Sequence, residues 1–181
     1  LELVLDATVT REAWLSMATV AQPKLKAAMI ISVGRVLNPP PFINAQGDTE
    51  QVPRPSNAMG LKLYAHLGRT NQHSTTEMML SFAKSPLPEL RLAAYTLLEA
   101  LCKLETGAQV LLSQDGFFDF LVDRERETIK EGREGKYQVV HAVYDSNVRG
   151  LLAEDVVRKL KAYLDEGPHY RKPLSWELAT E

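Results

Sequence analysis

Cysteine is almost absent from this sequence, since Cys102 is the only one in 181 residues. A single thiol excludes an internal disulfide and indicates a reducing compartment. The sequence also lacks an apolar run of the roughly 18 residues that a bilayer requires. A basic surplus, which nucleic-acid binding usually needs, is lacking too, because the formal net charge is −2. We therefore expect neither a membrane nor a nucleic acid as a partner.

Motifs that carry catalysis or bind metals are also missing from the sequence. The four histidines show none of the spacings that are typical of zinc sites. Cys102 has no second cysteine to share a metal with, and burial in a core is the usual environment of such a residue. Neither a nucleophile elbow nor a P-loop occurs. We therefore expect no enzyme activity, no catalytic residue, no cofactor, no metal and no small-molecule substrate.

Aromatic residues are few, at 7% of the sequence, whereas leucine and alanine are frequent. Leucine and alanine favour helices, because they lose little conformational freedom on entering one. Alternating β-branched runs joined by Asn-Gly or Asp-Gly turns are absent, so we expect no β-hairpin. The sequence begins Leu1-Glu2-Leu3 rather than with Met, and we expect it to be a piece of a longer protein.

The first third of the sequence predicts two helices followed by a proline-rich loop. Thr10 is a candidate N-cap for a helix over residues 12–20, and Pro23 opens a second helix that continues to residue 37. Residues 39–56 hold five of the ten prolines and predict a long loop. The core side of the second helix is expected to consist of Leu25, Ala28, Met29, Ser32, Val33 and Val36.

The rest of the sequence predicts further helices and one charged loop. A helix is expected over residues 56–67, and Ser74 with Glu77 forms the capping-box pattern of the next one. Pro88 opens the clearest helix, and residues 123–136, with alternating charges and two glycines, predict a solvated loop. Shorter helices are expected over 108–112, 117–122, 137–144 and 153–164. Apolar residues of the Pro88 helix recur at the spacing of a buried stripe: Leu90, Ala93, Ala94, Leu97, Leu98 and Leu101.

One pattern, Pro-x-Leu-basic-x-Ala, opens both the helix at Pro23 and the helix at Pro88. The two prolines lie 65 residues apart (88 − 23). Removing the proline-rich loop brings that spacing near the ~40–47 residues of armadillo/HEAT repeats, whose helices bury their apolar faces by stacking. We predict an all-α, armadillo/HEAT-like right-handed α-solenoid over residues 1–165, with a C-terminal tail at 166–181. An irregular helical bundle is the alternative.

A candidate protein-binding stripe lies on the Pro88 helix, on the side opposite the predicted core. Its members recur every four residues and therefore align on one face: Arg91, Tyr95, Glu99 and Lys103. Arginine and tyrosine are frequent anchors of protein interfaces, and such helices line the concave surface of a solenoid. Lys26 and Ile30 occupy the matching places on the Pro23 helix. The alternative is an ordinary solvated face.

Four stretches in the second half of the sequence carry a family resemblance. They are Gly116-Phe117-Phe118-Asp119-Phe120-Leu121-Val122-Asp123-Arg124, Gly135-Lys136-Tyr137-Gln138-Val139-Val140, Leu160-Lys161-Ala162-Tyr163-Leu164-Asp165-Glu166-Gly167-Pro168-His169-Tyr170 and Arg171-Lys172-Pro173-Leu174-Ser175. In this order they resemble the C-terminal end of the 26S proteasome non-ATPase regulatory subunit 5 family. The ending Tyr-Leu-x-Glu-Gly-Pro-x-Tyr-x-Lys-Pro-x-Ser is the most specific part. His169, Arg171 and Trp176 depart from the family pattern and leave the function of the tail open.

The resemblance implies an armadillo/HEAT solenoid that acts as a chaperone during assembly of the proteasome base. It implies binding to an ATPase subunit of the base through that subunit's C-terminal domain, with no catalytic residue to transfer. We accordingly expect a cytoplasmic protein, with the nucleus as a second location. The alternatives are another armadillo/HEAT adaptor in transport or signalling, and an enzyme whose site leaves no motif.

Overall fold

The protein is seen in a computed structural model that describes residues 8–20, 22–68 and 74–170. Within those ranges it is mostly helical and all-α in class, as predicted. The α-helices are α1 Thr8–Val20, α2 Pro23–Leu37, α3 Asn57–Leu67, α4 Thr75–Ala83, α5 Pro88–Cys102, α6 Gly107–Leu112, α7 Phe117–Val122, α8 Lys130–Asp145 and α9 Glu154–Glu166. A 3-10 helix spans Asn147–Leu151, and the strands β1 Phe42–Ile43 and β2 Thr49–Glu50 pair antiparallel.

The helix starts follow the local signals in the sequence. The Ser56 hydroxyl accepts a hydrogen bond from the backbone N–H of Met59, and Ser74 with Glu77 forms the predicted capping box. Proline stands at the first position of both α2 and α5. The N-cap prediction at Thr10 is wrong, because α1 begins at Thr8. A threonine inside a helix costs only about half a kcal/mol relative to alanine. This cost is too small to keep the helix from extending past Thr10 to Thr8.

Three long helices, α2, α5 and α8, pack side by side. They run in the same direction, because their C-terminal halves lie together. Gly34 of α2 brings its backbone against Thr96 of α5, since a Cβ added at Gly34 would lie 3.3 Å from the threonine Cγ2. The side chains of Leu37 and Leu104 meet beside Gly60, so the C-terminal ends of α2 and α5 lie together. This parallel stacking is the arrangement of an α-solenoid.

The remaining helices connect the three stacked ones. Helices α3 and α4 join α2 to α5, helices α6 and α7 join α5 to α8, and α9 packs against α8. From Pro88 to Lys130 the repeat length is 42 residues (130 − 88), within the ~40–47 residues of armadillo/HEAT units. The repeat type and the right-handed twist remain predictions.

The predicted core stripe of α5 is confirmed, because all six of its residues are buried. The predicted core side of α2 is largely wrong. Leu25 is 54% exposed, Ala28 and Ser32 are exposed, and Val36 is half-buried. The equivalent leucine of α5, Leu90, is buried, whereas Leu25 is exposed. Only Met29 and Val33 of the predicted set are buried; the buried residues of α2 are Ala27, Met29, Ile30, Val33, Gly34 and Leu37.

The expectation of no β-hairpin is wrong, because the proline-rich loop contains a small one. Asn44 builds its turn, because the side-chain Oδ1 accepts hydrogen bonds from the backbone N–H groups of Gln46 and Asp48 at 3.0 and 2.9 Å. Gly47 completes the turn with a φ of +88°. The turn was missed because it depends on an asparagine side chain and a glycine three residues later, and not on an Asn-Gly pair.

The predicted charged loop over residues 123–136 is too long, because α8 begins at Lys130. Gly132 and Gly135 lie inside this helix, where they make room for neighbours. A Cβ on Gly132 would collide with the Glu127 carboxylate, and one on Gly135 would lie 3.2 Å from Tyr95. Glycine usually weakens a helix, but close packing compensates for that cost here.

The predicted tail, 166–181, begins at the last residue of α9, and its residues 171–181 lie outside the described residues. No helix among the described residues is both long and apolar enough to cross a membrane.

Candidate protein-binding surface

Two residues of the predicted binding set are buried, one on α5 and one on α2, so the prediction is wrong for them. Tyr95 is 2% exposed and Ile30 is 0% exposed. Tyr95 lies beneath α8 and its ring stacks on Phe120, with centroids 6.4 Å apart. Helical periodicity places a residue on a face, but it cannot show that neighbouring helices cover both flanks of α5.

Arg91, a third member of the stripe, is half-buried and bound to a carboxylate of the same chain. Its Nε and Nη2 donate to the two carboxylate oxygens of Glu127 at 3.1 and 3.2 Å. Its Nη1 donates to the backbone carbonyl of Ser85 at 2.9 Å. The bidentate geometry is the strong form of an arginine–carboxylate pair. Arg91 therefore connects the start of α5 to the segment before α8.

Glu127 is the centre of this buried polar cluster, and sequence reasoning had placed it in a solvated run. It is 1% exposed and also accepts from the Tyr95 hydroxyl at 3.0 Å. The backbone N–H groups of Thr128 and Ile129 donate to the same carboxylate at 3.1 and 3.3 Å. Burial, and then the Glu127 charge, raise the pKa of Tyr95 above its ordinary value. The signal for this cluster in the sequence was the pair of glycines at the start of α8, because glycine in a helix indicates that a neighbouring group packs closely against the backbone.

Lys136 is a second buried charge next to this cluster. Its Nζ donates to the backbone carbonyl of Asp123 and lies 4.5 Å from the centroid of the Phe120 ring. Burial lowers the pKa of Lys136 to about 8, although Asp123 and Glu127 favour its charged form. The buried charged groups therefore hold the 123–129 segment in place.

Arg124 joins two of the sequence stretches that carry the family resemblance. Its Nη1 donates to the Gly167 carbonyl at 2.8 Å, and its Nη2 donates to the Tyr163 carbonyl at 2.5 Å. The guanidinium lies 3.6 Å from the centroid of the Tyr163 ring and 3.2 Å from Glu166. Gly167 has a φ of +78°, which only glycine adopts easily. These motif residues thus secure the end of α9.

Two matching stripes, on α5 and α8, form one accessible surface of the stack. Both follow the i, i+3, i+7, i+10, i+14 spacing and begin at the second residue of their helix. The α5 stripe is Glu89, Leu92, Thr96, Glu99 and Lys103, and the α8 stripe is Glu131, Glu134, Gln138, His141 and Asp145. We call these ten residues the α5–α8 face. Because the two helices are parallel neighbours, the stripes lie side by side.

A trough of about 510 Å³ runs between the C-terminal halves of the two stripes. Its lining includes two members of the predicted binding set, Glu99 and Lys103, which form an ion pair at 2.6 Å. His141 and Asp145 lie opposite, with Nδ1 and Oδ2 2.9 Å apart. Lys26, the remaining predicted residue, is half-buried on α2 with its Nζ 6.0 Å from the Phe82 ring. The structure therefore brings together Glu99 and Lys103 and leaves Lys26 elsewhere.

The structure contains little that indicates catalysis. The described residues hold no group of three or more histidine, cysteine or acidic side chains arranged to bind a metal. Cys102 is buried, and burial raises the pKa of its thiol, which opposes formation of a reactive thiolate. Stacked parallel helices with an accessible polar face are the arrangement of an α-solenoid.

The chain belongs to the proteasome non-ATPase 26S subunit family, whose model matches residues 14–181. Among curated proteins it is similar to 26S proteasome non-ATPase regulatory subunit 5 of Homo sapiens, with 30% identity over 100 residues, 55% of this chain and 20% of the relative. The Mus musculus protein of that name is 31% identical over the same shares. The Drosophila melanogaster protein is 25% identical over 104 residues, 58% of this chain and 20% of the relative. No solved structure matches this chain.

The chain spans about a fifth of the length of the curated relatives that it matches.

Proposed function

We propose that this chain is a protein-binding part of an assembly chaperone for the base of the 26S proteasome regulatory particle. It holds an ATPase subunit of the base through that subunit's C-terminal domain. The observation that carries the proposal is the family match over residues 14–181. The relatives are named as non-ATPase regulatory subunits of the 26S proteasome, and the finer role as a chaperone is part of the proposal.

The architecture supports a binding function. Helical stacks of this kind present long surfaces on which a partner lies, and the α5–α8 face is such a surface. The face is built on two packed helices, and the Arg91–Glu127 pair ties the start of α5 to the segment before α8. A rigid surface loses little conformational entropy on binding. We therefore place the ATPase domain on this face.

The chain acts without catalysis in this proposal. The buried Glu127 and Lys136 bond within the chain, so they are occupied in supporting the fold. The place of action is the cytoplasm and also the nucleus, where proteasomes would be assembled.

The proposal is tested by measuring binding between the purified chain and purified C-terminal domains of each base ATPase subunit. Isothermal titration calorimetry should detect one domain that binds more tightly than the others. Capture from a cell lysate, followed by quantitative mass spectrometry, should enrich the same subunit. Enrichment of transport or signalling proteins without any ATPase subunit would contradict the proposal and favour another type of solenoid adaptor.

A further inference from the structure

The region of the α5–α8 face is acidic, whereas the rest of the chain is not. The face and the lining of its trough contain six carboxylates: Glu89, Glu99, Glu105, Glu131, Glu134 and Asp145. Three basic residues lie among or beside them: Arg54, Lys103 and Lys130. The local formal charge is therefore −3 (3 − 6), while the whole chain carries −2. The remaining residues together carry +1 (−2 + 3).

The basic residues of this region are mostly occupied by neighbouring carboxylates. Lys103 pairs with Glu99 at 2.6 Å. Lys130 lies 3.8 Å from Glu134, whose carboxylate also lies 3.3 Å from the His169 ring. Glu89, Glu105 and Glu131 have no ion-pair partner among the described residues, so their charge is available to a partner. These free carboxylates lie at both ends of the face, and the trough crosses its C-terminal half.

We propose that the α5–α8 face binds a basic surface of its partner, with lysine or arginine side chains lying along the trough between α5 and α8. This inference rests on the proposed function and adds the chemistry of the bound surface. Charge complementarity of this kind directs association and selects among partners. An acidic partner surface would bring like charges together, which costs affinity.

The trough offers specific positions for cationic side chains. Asp145 pairs with His141 of the same helix at 2.9 Å and has no other ion-pair partner among the described residues, and His141 is half-exposed. A partner ammonium or guanidinium group could replace His141 at the Asp145 carboxylate. Glu105 lines the same trough and is exposed. The two carboxylates thus provide the means to bind a basic segment at the C-terminal end of the face.

The test uses two variants with the same change in charge at different places. The face variant is Glu131→Lys with Asp145→Lys, and the control is Asp115→Lys with Glu125→Lys. All four positions are exposed, and each variant gains four units of positive charge. In the face variant the two effects on the helix dipole oppose each other, because the changes lie at opposite ends of α8. Circular dichroism should show that both variants fold and melt like the wild type.

Two probes are titrated against each protein at low and moderate salt: the purified ATPase C-terminal domain and a ten-residue lysine-rich peptide. The wild type should bind both probes, with affinity that falls as salt rises, because ions screen exposed charges. The face variant should bind each probe about tenfold more weakly than the control variant. For any probe that the wild type binds, equal binding by the two variants, or binding that ignores salt, would overturn the inference.

The two probes separate this inference from the proposed function. If the wild type fails to bind any ATPase domain, the proposed function fails. The lysine-rich peptide then still decides whether the face prefers basic ligands. If the wild type binds an ATPase domain but the face variant binds it as tightly as the control, the inference fails and the proposed function stands.

Discussion

Removing the Glu127 carboxylate should destabilise the fold more than any change on the surrounding charged segment. Glu127→Ala leaves the Arg91 guanidinium, only 12% exposed in its side chain, without its bidentate partner. The Tyr95 hydroxyl also loses its acceptor. Breaking a buried ion pair by removing one partner typically costs about 3–5 kcal/mol. We expect a loss in that range from the free energy of unfolding.

The loss is measured by urea unfolding at neutral pH, followed by circular dichroism at the helical band. Glu125→Ala is the matched control, because Glu125 is exposed and lies in the same charged run. Its effect should stay within about 0.5 kcal/mol. A double-mutant cycle with Arg91→Met should give a coupling of about 1–3 kcal/mol, since both residues belong to one network.

A specific result would refute this reasoning. If Glu127→Ala and Glu125→Ala both cost less than about 1 kcal/mol, the 123–129 segment would not be held by the buried cluster. The α5–α8 face would then lack the rigid support that we assign to it. A large loss for both variants would instead show that the whole segment is sensitive, and that burial of one carboxylate is not the cause.

Two further predictions concern the start of α8. Burial lowers the pKa of Lys136 from 10.5 to about 8. Between these pH values the unfolded chain binds one more proton than the folded chain, so the free energy of unfolding rises with pH. Lys136→Met should remove this rise in urea unfolding between pH 7.5 and 10.5, and an unchanged rise would show that Lys136 is not its cause. Gly132→Ala should cost about 1–3 kcal/mol, because the new Cβ collides with a buried carboxylate. The control is Gly150→Ala, where a Cβ meets nothing within 4 Å. Equal melting temperatures for the two variants would show that the Glu127 side chain moves away from the new Cβ without cost.

Several elements could be predicted from the sequence because their causes are local. The capping box at Ser74 and the proline at the start of α5 determine backbone conformation within one turn. The buried stripe of α5 was also predictable, because leucine and alanine at helical spacing leave a single apolar side. The family resemblance depended on short motifs, such as the Gly167 turn, whose residues are close in sequence.

The α5–α8 face was only partly predictable. Glu99 and Lys103 were placed correctly on an accessible surface, whereas Tyr95 and Ile30 were not. A helix between two parallel neighbours is covered on both flanks, so its accessible stripe is narrower than the half-helix that an amphipathic pattern suggests. The exposed Leu25 shows the opposite case, in which an apolar residue lacks a covering neighbour in this structure.

The sequence by itself determined the helical class, most helix boundaries, the repeated Pro-x-Leu-basic-x-Ala opening and the family. These properties depend on local backbone preferences and on motifs of a few residues. Only the tertiary structure decided that Glu127 is a buried partner of Arg91, 36 residues away, and that the accessible stripes of α5 and α8 lie side by side. Burial and pairing are set by which helices become neighbours, and that choice depends on the free energy of packing the whole chain rather than on any one segment.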